Sequence, residues 1–278
     1  MADFAIQAKA QDVNFVAKFQ SDLHNLLAML GKTGVEKMAP GTALKIYKTS
    51  GTLSNAEVAE KALIPDSNIR TDNGTLVELT FKKYRNLVGI ESVAKKGYEV
   101  AVGGANTSML KQIQAAVRAS IFAGLGVTGS GSAEAATFQA KVAKAAAYIS
   151  KKFEDEAATP VFFASPDDVY DYLGAHNVTL EQNFGLSYLQ NFMGIGNVIV
   201  DSNVPAGTVY GTATENLDVV AAAVDSIEGM ELTIDESGII AVHNGAKYEN
   251  AALETVAYSG LKVVPVYADR IVKVTTTA

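Results

Sequence analysis

Few residues of this sequence are placed for catalysis or metal binding. The chain of 278 residues contains no cysteine, so disulfide bonds, thiolate nucleophiles and zinc–cysteine sites are excluded. Its three histidines, His24, His176 and His243, are far apart, and none has the spacing of a metalloprotease helix. Neither a Walker phosphate loop nor the G-x-S-x-G turn of a hydrolase is present. Because triads are assembled in space, this absence is only weak evidence against an enzyme.

One glycine-rich segment has the form G-x-G-x-x-G: Gly124-Leu125-Gly126-Val127-Thr128-Gly129. A dinucleotide site requires that such a loop follow a strand and open a helix, so that the helix N-terminus can hold the pyrophosphate. Here the glycines follow a predicted helix and enter a predicted linker. The segment therefore does not predict a nucleotide site.

Two other polar runs have simpler interpretations than chemistry. The acidic run 154–156 stands beside Lys151 and Lys152 at the predicted end of a helix, and a solvated charge run is favoured over a metal site. His243 opens the polar run 243–250, which we interpret as a loop between strands. The sequence therefore predicts no catalytic, cofactor-binding or metal-binding residue.

The composition is that of a globular protein with an acidic balance. Hydrophobic residues make up 48% and charged residues 19%, and the formal net charge is −7. A chain of this length can bury a large core, and its acidity argues against a protein that mainly grips nucleic acid, although a local basic patch is not excluded. No signal-peptide pattern or long apolar run is present, so we expect synthesis and folding in a cytoplasm.

The clearest predicted helix spans 106–125. Leu110, Ile113, Val117 and Ile121 form an apolar stripe at helical spacing, and the polar residues 106–108 offer N-cap oxygens. This stripe predicts core packing.

Other helical patterns are shorter. They predict helices at 22–30, at 135–153 after a flexible linker at 129–132, and from Ser165-Pro166-Asp167-Asp168, where serine caps the helix and proline occupies its first position. Strand-like segments occupy 44–47, 77–81, 161–164, 197–200, 208–210, 230–234, 238–243, 255–258, 261–267 and 270–274.

The polar stretch 51–74 is long for a loop inside a domain, and such loops are usually functional. One interpretation is a flexible surface insertion, and the other is an arm that reaches a neighbouring molecule. The residues Val77, Leu79 and Phe81 alternate with polar residues, and we expect a neighbouring subunit to cover them.

The order of these elements resembles the HK97-type capsid subunits of tailed bacteriophages over nearly the whole chain. Residues 161–168 look like the family's strand followed by a proline-started helix. Residues 196–207 are similar to its strand and polar turn ending in Pro-x-Gly, and 261–274 look like its closing strands. No single motif is highly specific; the ordered set carries the resemblance.

The resemblance implies an α+β, HK97-like capsid fold with four parts. These are an N-terminal arm (1–40), an extended β-hairpin loop (41–90), a peripheral domain with a long spine helix (91–128 and 229–278) and an axial domain (133–228). The implied contacts between subunits include charged residues of the extended loop and of the run 243–250: Glu57, Glu60, Lys61, Asp66, Arg70, Asp72, Lys247 and Glu249.

The same resemblance implies a function in assembly rather than catalysis. The subunit would form pentamers and hexamers with copies of itself and close an icosahedral shell around double-stranded DNA in a virion. A separate scaffolding protein, a portal and decoration proteins are the implied partners, without a cofactor or a membrane. The shell of an encapsulin-like cellular compartment is the alternative within the fold, and a soluble α/β enzyme or binding protein is the alternative outside it.

Overall fold

The computed structural model describes residues 2–45, 47–52, 54, 58, 66–72, 76–126, 130–154, 156–176, 178–183, 186–226, 229 and 231–277. The helices are α1 Ala2–Met29, α2 Ile90–Lys96, α3 Gly104–Leu125, α4 Phe138–Lys152 and α5 Pro166–Ala175. The strands are β1 Glu36–Met38, β2 Ala43–Lys45, β3 Lys48–Thr52, β4 Asn68–Asp72, β5 Leu76–Glu78, β6 Lys82–Gly89, β7 Gly131–Ala135, β8 Pro160–Ala164, β9 Glu181–Asn183, β10 Leu186–Phe192, β11 Gly196–Val200, β12 Thr208–Ala213, β13 Leu217–Ala222, β14 Thr233–Ile234, β15 Ile240–Lys247, β16 Ala252–Ser259, β17 Leu261–Pro265 and β18 Val272–Thr276.

The largest sheet has seven strands in the order β7-β18-β12-β8-β11-β10-β9. The sheet is mixed, because its central strand β8 pairs in parallel with β11 and antiparallel with β12. Helix α4 covers this sheet with Val142, Ala145 and Ile149, which pack in one core with Phe162 and Val272. Such burial on one face of a helix and one face of a sheet is what holds a layered domain together.

A second layer packs α1 and α3 against the four-stranded antiparallel sheet β14-β15-β16-β6. The predicted stripe of α3 is confirmed: Leu110, Ile113, Val117 and Ile121 are at most 4% exposed. On α1, a second stripe at helical spacing enters the same core. Its members are Phe15, Phe19, Leu23 and Leu26, and Leu30, directly after the helix, joins the same core.

The remaining strands make smaller units. Strands β1, β13 and β17 form a three-stranded sheet, with β1 parallel and β17 antiparallel to β13. Strand β17 ends at Pro265 on the edge of this sheet, as predicted for a proline within a strand. Strands β2 and β5 form one two-stranded ribbon, and β3 and β4 form another.

Several local predictions are confirmed. Helix α5 begins after Ser165, whose Oγ accepts a hydrogen bond from the backbone N–H of Asp167, with Pro166 in the first turn. Strands β8, β11, β12 and β16 cover the predicted segments with extensions of one to four residues at their ends. Acidic residues in the first turn of α5 favour this start because the helix dipole is positive there.

Other local predictions are wrong. Helix α1 extends over 28 residues rather than starting near residue 22, because its apolar stripe continues towards the N-terminus. Helix α3 starts at Gly104, and Asn106 is a buried partner of Thr255 rather than an N-cap. Residues 243–247 belong to β15 rather than to a polar loop, since they pair residue by residue with β16.

The predicted linker 129–132 also differs. Gly131 and Ser132 begin β7, which pairs in parallel with β18. A Cβ atom at Gly131 would lie 2.4 Å from the Tyr148 ring, so this glycine allows the strand to pass close to α4. Gly129 lies outside the described residues.

Several strand pairings cross the predicted domain boundaries, and two of them show this clearly. Strand β6, placed in the extended loop by the prediction, pairs along its whole length with β16. Strand β18, placed in the peripheral domain, lies between β7 and β12 in the seven-stranded sheet. Backbone hydrogen bonding, which the local sequence does not reveal, decides both placements.

Candidate assembly surfaces

Strands β3 and β4 form a two-stranded ribbon, which we call the distal ribbon. Its pairing runs from Lys48 opposite Asp72 to Thr52 opposite Asn68, and neither strand pairs with another described strand. The residues 66–71 are all exposed, and Ile69 is 54% exposed. Because an isolated two-stranded ribbon is marginally stable in water, the distal ribbon is suited to lie on another surface.

The predicted contact residues of the extended loop are only partly described. Asp66 and Arg70 are exposed next to and on the distal ribbon. The backbone of Asp72 pairs with that of Lys48 at the base of the distal ribbon. Three other predicted residues lie outside the described chain: Glu57, Glu60 and Lys61.

The root of the loop is anchored within its own subunit. Leu79 is fully buried in a small core with Val220 and Ala222, and Phe81 packs against it. The backbone N–H of Leu79 donates to the carbonyl oxygen of Thr42 at 3.1 Å. The expectation that a neighbour covers this apolar face is therefore wrong for Leu79 and Phe81, since their own chain supplies the surface.

Large apolar side chains remain exposed along the loop. Tyr47 is 56% exposed and Leu76 is 64% exposed, near the ends of the paired strands β2 and β5. Ile69 is a third exposed apolar residue of this loop, and the described residues of the same chain do not cover these three side chains. Exposed apolar groups of this kind mark interaction surfaces when they occur together.

The turn between β15 and β16 brings together the remaining predicted contact residues. Lys247 Nζ lies 4.0 Å from Glu249 Oε2, and the Glu249 side chain is 85% exposed. Tyr248 between them is 86% exposed, and sequence reasoning missed it because it treated this segment as polar. Ile90, 57% exposed, joins this tip through its N–H, which donates to the carbonyl oxygen of Ala251 at 3.0 Å.

A buried polar network joins α1 to the four-stranded sheet. Asn244 Nδ2 donates to Asp12 Oδ1 at 2.6 Å, and Thr255 Oγ donates to Asn244 Oδ1. The Thr255 hydroxyl also lies 2.9 Å from Asn106 Oδ1 on α3. Burial raises the pKa of Asp12 to about 6, against the opposing effects of the Asn244 hydrogen bonds and the charge of His243. The network fixes α1, α3, β15 and β16 relative to one another.

The segments considered for chemistry have structural roles. Gly124 lies in the last turn of α3, and Gly126 follows its last residue and donates its N–H to the carbonyl oxygen of Phe122. These glycines therefore close a helix rather than open one. Glu156 from the acidic run pairs with Arg270, whose Nη1 lies 2.7 Å from Glu156 Oε2. The ring of His176 stacks on Tyr172 at the end of α5.

Within the part of the chain that the structure describes, no group of three or more acidic, histidine or cysteine side chains is arranged to hold a metal ion. Among the described helices, none combines the length and apolarity needed to span a bilayer.

Comparison with solved structures identifies the fold. A GTA particle capsid matches with a TM-score of 0.60 and 10% identity, over 91% of this chain and 90% of that one. The capsid protein of cyanophage A-1(L) matches with a TM-score of 0.57 and 10% identity, over 90% and 92%. The SrpI encapsulin of Synechococcus elongatus PCC 7942 matches with a TM-score of 0.51 and 11% identity, over 90% and 86%.

The chain therefore has the HK97-type capsid fold, as predicted. No protein-family model matches the sequence, and no curated protein is significantly similar to it. At sequence identities of 10%, the structural similarity establishes the fold but not the function.

Proposed function

We propose that this chain is the major capsid protein of a tailed bacteriophage, a structural subunit that forms pentamers and hexamers and closes an icosahedral shell around double-stranded DNA. The observation that carries the proposal is the extent of the fold likeness, which covers about nine tenths of both chains in the cyanophage comparison. The likeness therefore extends over nearly the whole subunit rather than over one of its parts. The protein acts by assembly and not by catalysis.

The exposed surfaces support this proposal. The distal ribbon lies outside every described core cluster of its own subunit, and an extended element without an internal role fits a contact with another copy. One weak contact contributes little affinity, but a closed shell multiplies such contacts. In this proposal, the predicted parts become an arm at 1–40, a contact loop at 41–90, a peripheral domain at 91–128 and 229–278, and an axial domain at 133–228.

The proposed contacts between copies include the predicted charged residues: Glu57, Glu60, Lys61, Asp66, Arg70, Asp72, Lys247 and Glu249. The structure adds Tyr248 to this set by its exposure. An exposed tyrosine suits a contact with a neighbouring copy, because tyrosine is enriched among the residues that contribute most to binding at interfaces.

The remaining partners follow from the proposal. A scaffolding protein from a separate chain directs assembly, a portal occupies one vertex, and decoration proteins bind the outer surface. The shell assembles in the cytoplasm of the bacterial host and becomes the virion capsid, without a cofactor or membrane.

The shell of an encapsulin-like compartment is the second candidate, supported by the match to the SrpI encapsulin. The two candidates predict different contents, nucleic acid for a capsid and a cargo enzyme for a compartment. The test is expression of the full chain, with and without its scaffolding protein, followed by sedimentation, electron microscopy and mass spectrometry of purified particles.

Shells that contain DNA support the capsid. Shells that contain a cargo enzyme assign the chain to the compartment class. A protein that stays monomeric under every assembly condition and turns over a small molecule contradicts both.

A further inference from the structure

Helix α1 is attached to the rest of the subunit unevenly along its length. From residue 15 onwards its inward face is apolar and lies in the main core, beginning with Phe15 and Phe19. Among residues 8–14, which we call the N-terminal segment of α1, the buried side chains are those of Ala8 and Asp12. A single methyl group buries little apolar area, so the attachment of this segment depends on the Asp12 carboxyl.

A cavity of about 510 Å³ lies between the N-terminal segment and the four-stranded sheet. Its lining is contributed by the helix, by the start of β14 with the residues before it, and by β15: Ala8, Lys9, Asp12, Glu231, Leu232, Thr233, His243 and Asn244. A water molecule takes up roughly 30 Å³ in the liquid, so this space could admit several. The segment is therefore not close-packed on the sheet, and a small movement of the helix would bring water to Asp12.

The Asp12 carboxyl is hydrogen-bonded but has no cationic partner in contact with it. Asn244 donates to it through its side chain, with Nδ2 2.6 Å from Oδ1, and through its backbone N–H. Among the residues that the structure describes, no lysine, arginine or histidine forms an ion pair with Asp12. Burial therefore dominates and raises the pKa of Asp12 to about 6, while the Asn244 hydrogen bonds and the charge of His243 act in the opposite direction.

The other ionisable groups around Asp12 come from four parts of the fold. Lys9 of α1 and Glu231 before β14 line the same cavity, carry opposite charges and are exposed to solvent. On β15, the charge of His243 favours the ionised form of Asp12. Between α2 and α3, burial and then the charge of Asp12 raise the pKa of Tyr98. The further members of the network, on α3 and β16, are uncharged.

We propose that the N-terminal segment of α1 is a pH-operated switch, which lies on the four-stranded sheet while Asp12 is neutral and separates from it when Asp12 ionises. The rest of α1 stays in the core in both states, because its attachment is apolar and does not titrate. A helical segment this short is not stable by itself in water, so it frays once it leaves the sheet. The switch is a property of one subunit and does not depend on the proposed function.

The direction of the switch follows from the protons bound in its two states. Asp12 has a pKa of about 6 in the closed state and regains the ordinary value of 3.8 once it is solvated. Between these values the closed state binds more protons, so closing is favoured at low pH and opening increases as pH rises to about 6. At higher pH both states are ionised and the balance levels off. Between pH 5 and 7.5, the ratio of open to closed molecules should rise roughly 10-fold.

Thiol labelling of the unassembled subunit tests the switch, because the chain contains no cysteine of its own. The variant Ala8→Cys places one thiol at a buried position of the segment, and Ala10→Cys places one at an exposed position. Dividing the labelling rate at position 8 by that at position 10 removes the pH dependence of the thiol itself. This ratio should rise roughly 10-fold from pH 5 to 7.5. Val16→Cys, in the part of α1 that lies in the core, should stay protected throughout.

Second substitutions assign the effect to its residue. With Asp12→Asn, the ratio should not change with pH. With His243→Gln, or with Asp171→Asn at an exposed position of α5, the rise should remain.

Four results overturn the proposal. They are a constant ratio when Asp12 is present, an equal rise with Asp12→Asn, loss of the rise with His243→Gln, and loss of protection at position 16 together with position 8. The last result would show that the whole subunit unfolds rather than that one segment opens.

Discussion

The Nζ atom of Lys141 lies 2.6 Å from Oδ1 of Asp168, and the Lys141 side chain is only 3% exposed. The other carboxylate oxygen of Asp168 accepts a hydrogen bond from the N–H of Gly207 at 2.7 Å. This pair therefore joins α4 and α5 to the turn before β12. The Lys141 ammonium group has a carboxylate partner, and both oxygens of that carboxylate have a partner. A buried charge is tolerated when it is paired and hydrogen-bonded in this way.

Removing the cation of this pair should destabilise the subunit. In Lys141→Met, the Asp168 carboxylate is left without its partner, and we expect a loss of about 3–5 kcal/mol in the free energy of unfolding. Urea denaturation followed by circular dichroism measures the change. Lys151→Met, on the exposed side of the same helix, is the control and should change stability by less than about 0.5 kcal/mol. A small loss in Lys141→Met would mean that the charge pair is not required for packing.

The apolar stripe of α3 gives a second prediction. Ile113 is fully buried, and Ile113→Ala should cost about 2–5 kcal/mol through lost burial and the cavity left behind. Thermal and urea unfolding of the subunit measure this cost. Gln112→Ala, at the exposed neighbouring position, should leave stability almost unchanged. Equal stability of the two variants would contradict the burial of this face.

The extended loop gives a third prediction, in which the tip and the root have opposite roles. Replacing residues 55–73 by a short Gly-Ser link should leave the subunit folded, because the distal ribbon contributes no residue to the described cores. Closed shells should be few or absent in electron micrographs, since the proposed contact with a neighbour is lost. Normal shells would show that the loop is dispensable, and an unfolded subunit would show that it belongs to the core.

The root of the loop supplies the control for that deletion. Leu79 is fully buried with Val220 and Ala222, so Leu79→Ala should lower subunit stability by about 2–5 kcal/mol. A thermal melt distinguishes the two variants: the root variant melts earlier than the wild type, and the tip deletion melts close to it.

The buried carboxyl of Asp12 gives a fourth prediction, in pH dependence. Burial raises its pKa from 3.8 to about 6 in the folded protein. Between these two values the folded state binds more protons than the unfolded state, so this group's contribution to stability falls as pH rises from about 4 to 6. Asp12→Asn keeps an oxygen that accepts from Asn244 and removes the titration.

Urea midpoints at several pH values test this sign. The Asp12→Asn variant should gain stability relative to the wild type as pH increases from 4.5 to 7.5, and the difference should level off above about pH 7. Asp171→Asn, at an exposed position of α5, is the control. If the wild type instead became more stable than Asp12→Asn as pH rises, folding would favour the ionised form of Asp12. Burial would then not be the dominant effect on its pKa.

The sequence predicts elements best where the apolar pattern belongs to one element alone. The stripe of α3, the Ser165 start of α5 and strand β8 each carry their own local signal. The part of α1 before residue 22 also carries such a signal, with Phe15 and Phe19 at helical spacing, and extending the pattern towards the N-terminus would have found it.

Elements defined by their partners could not be predicted in this way. Strand β7 has the sequence Gly-Ser-Ala-Glu-Ala and becomes a strand only because β18 pairs with it. Strand β6 is mostly polar and lies on the edge of its sheet. The Asp12 network combines residues far apart in the chain, so only the packing of α1 and α3 on the sheet that contains β15 and β16 brings them together.

The position of β18 has a consequence for how the subunit is made. Its neighbours in the sheet, β7 and β12, both precede it in the sequence, and Val272 pairs with Gly131 on one side and Gly211 on the other. While the ribosome is still synthesising the segment before residue 272, these two neighbours have no strand between them. The seven-stranded sheet is thus completed only after β18 has been translated, because its other six strands all precede β18 in the chain. A chain interrupted before that point keeps two open strand edges, the kind of surface that aggregates rather than assembles.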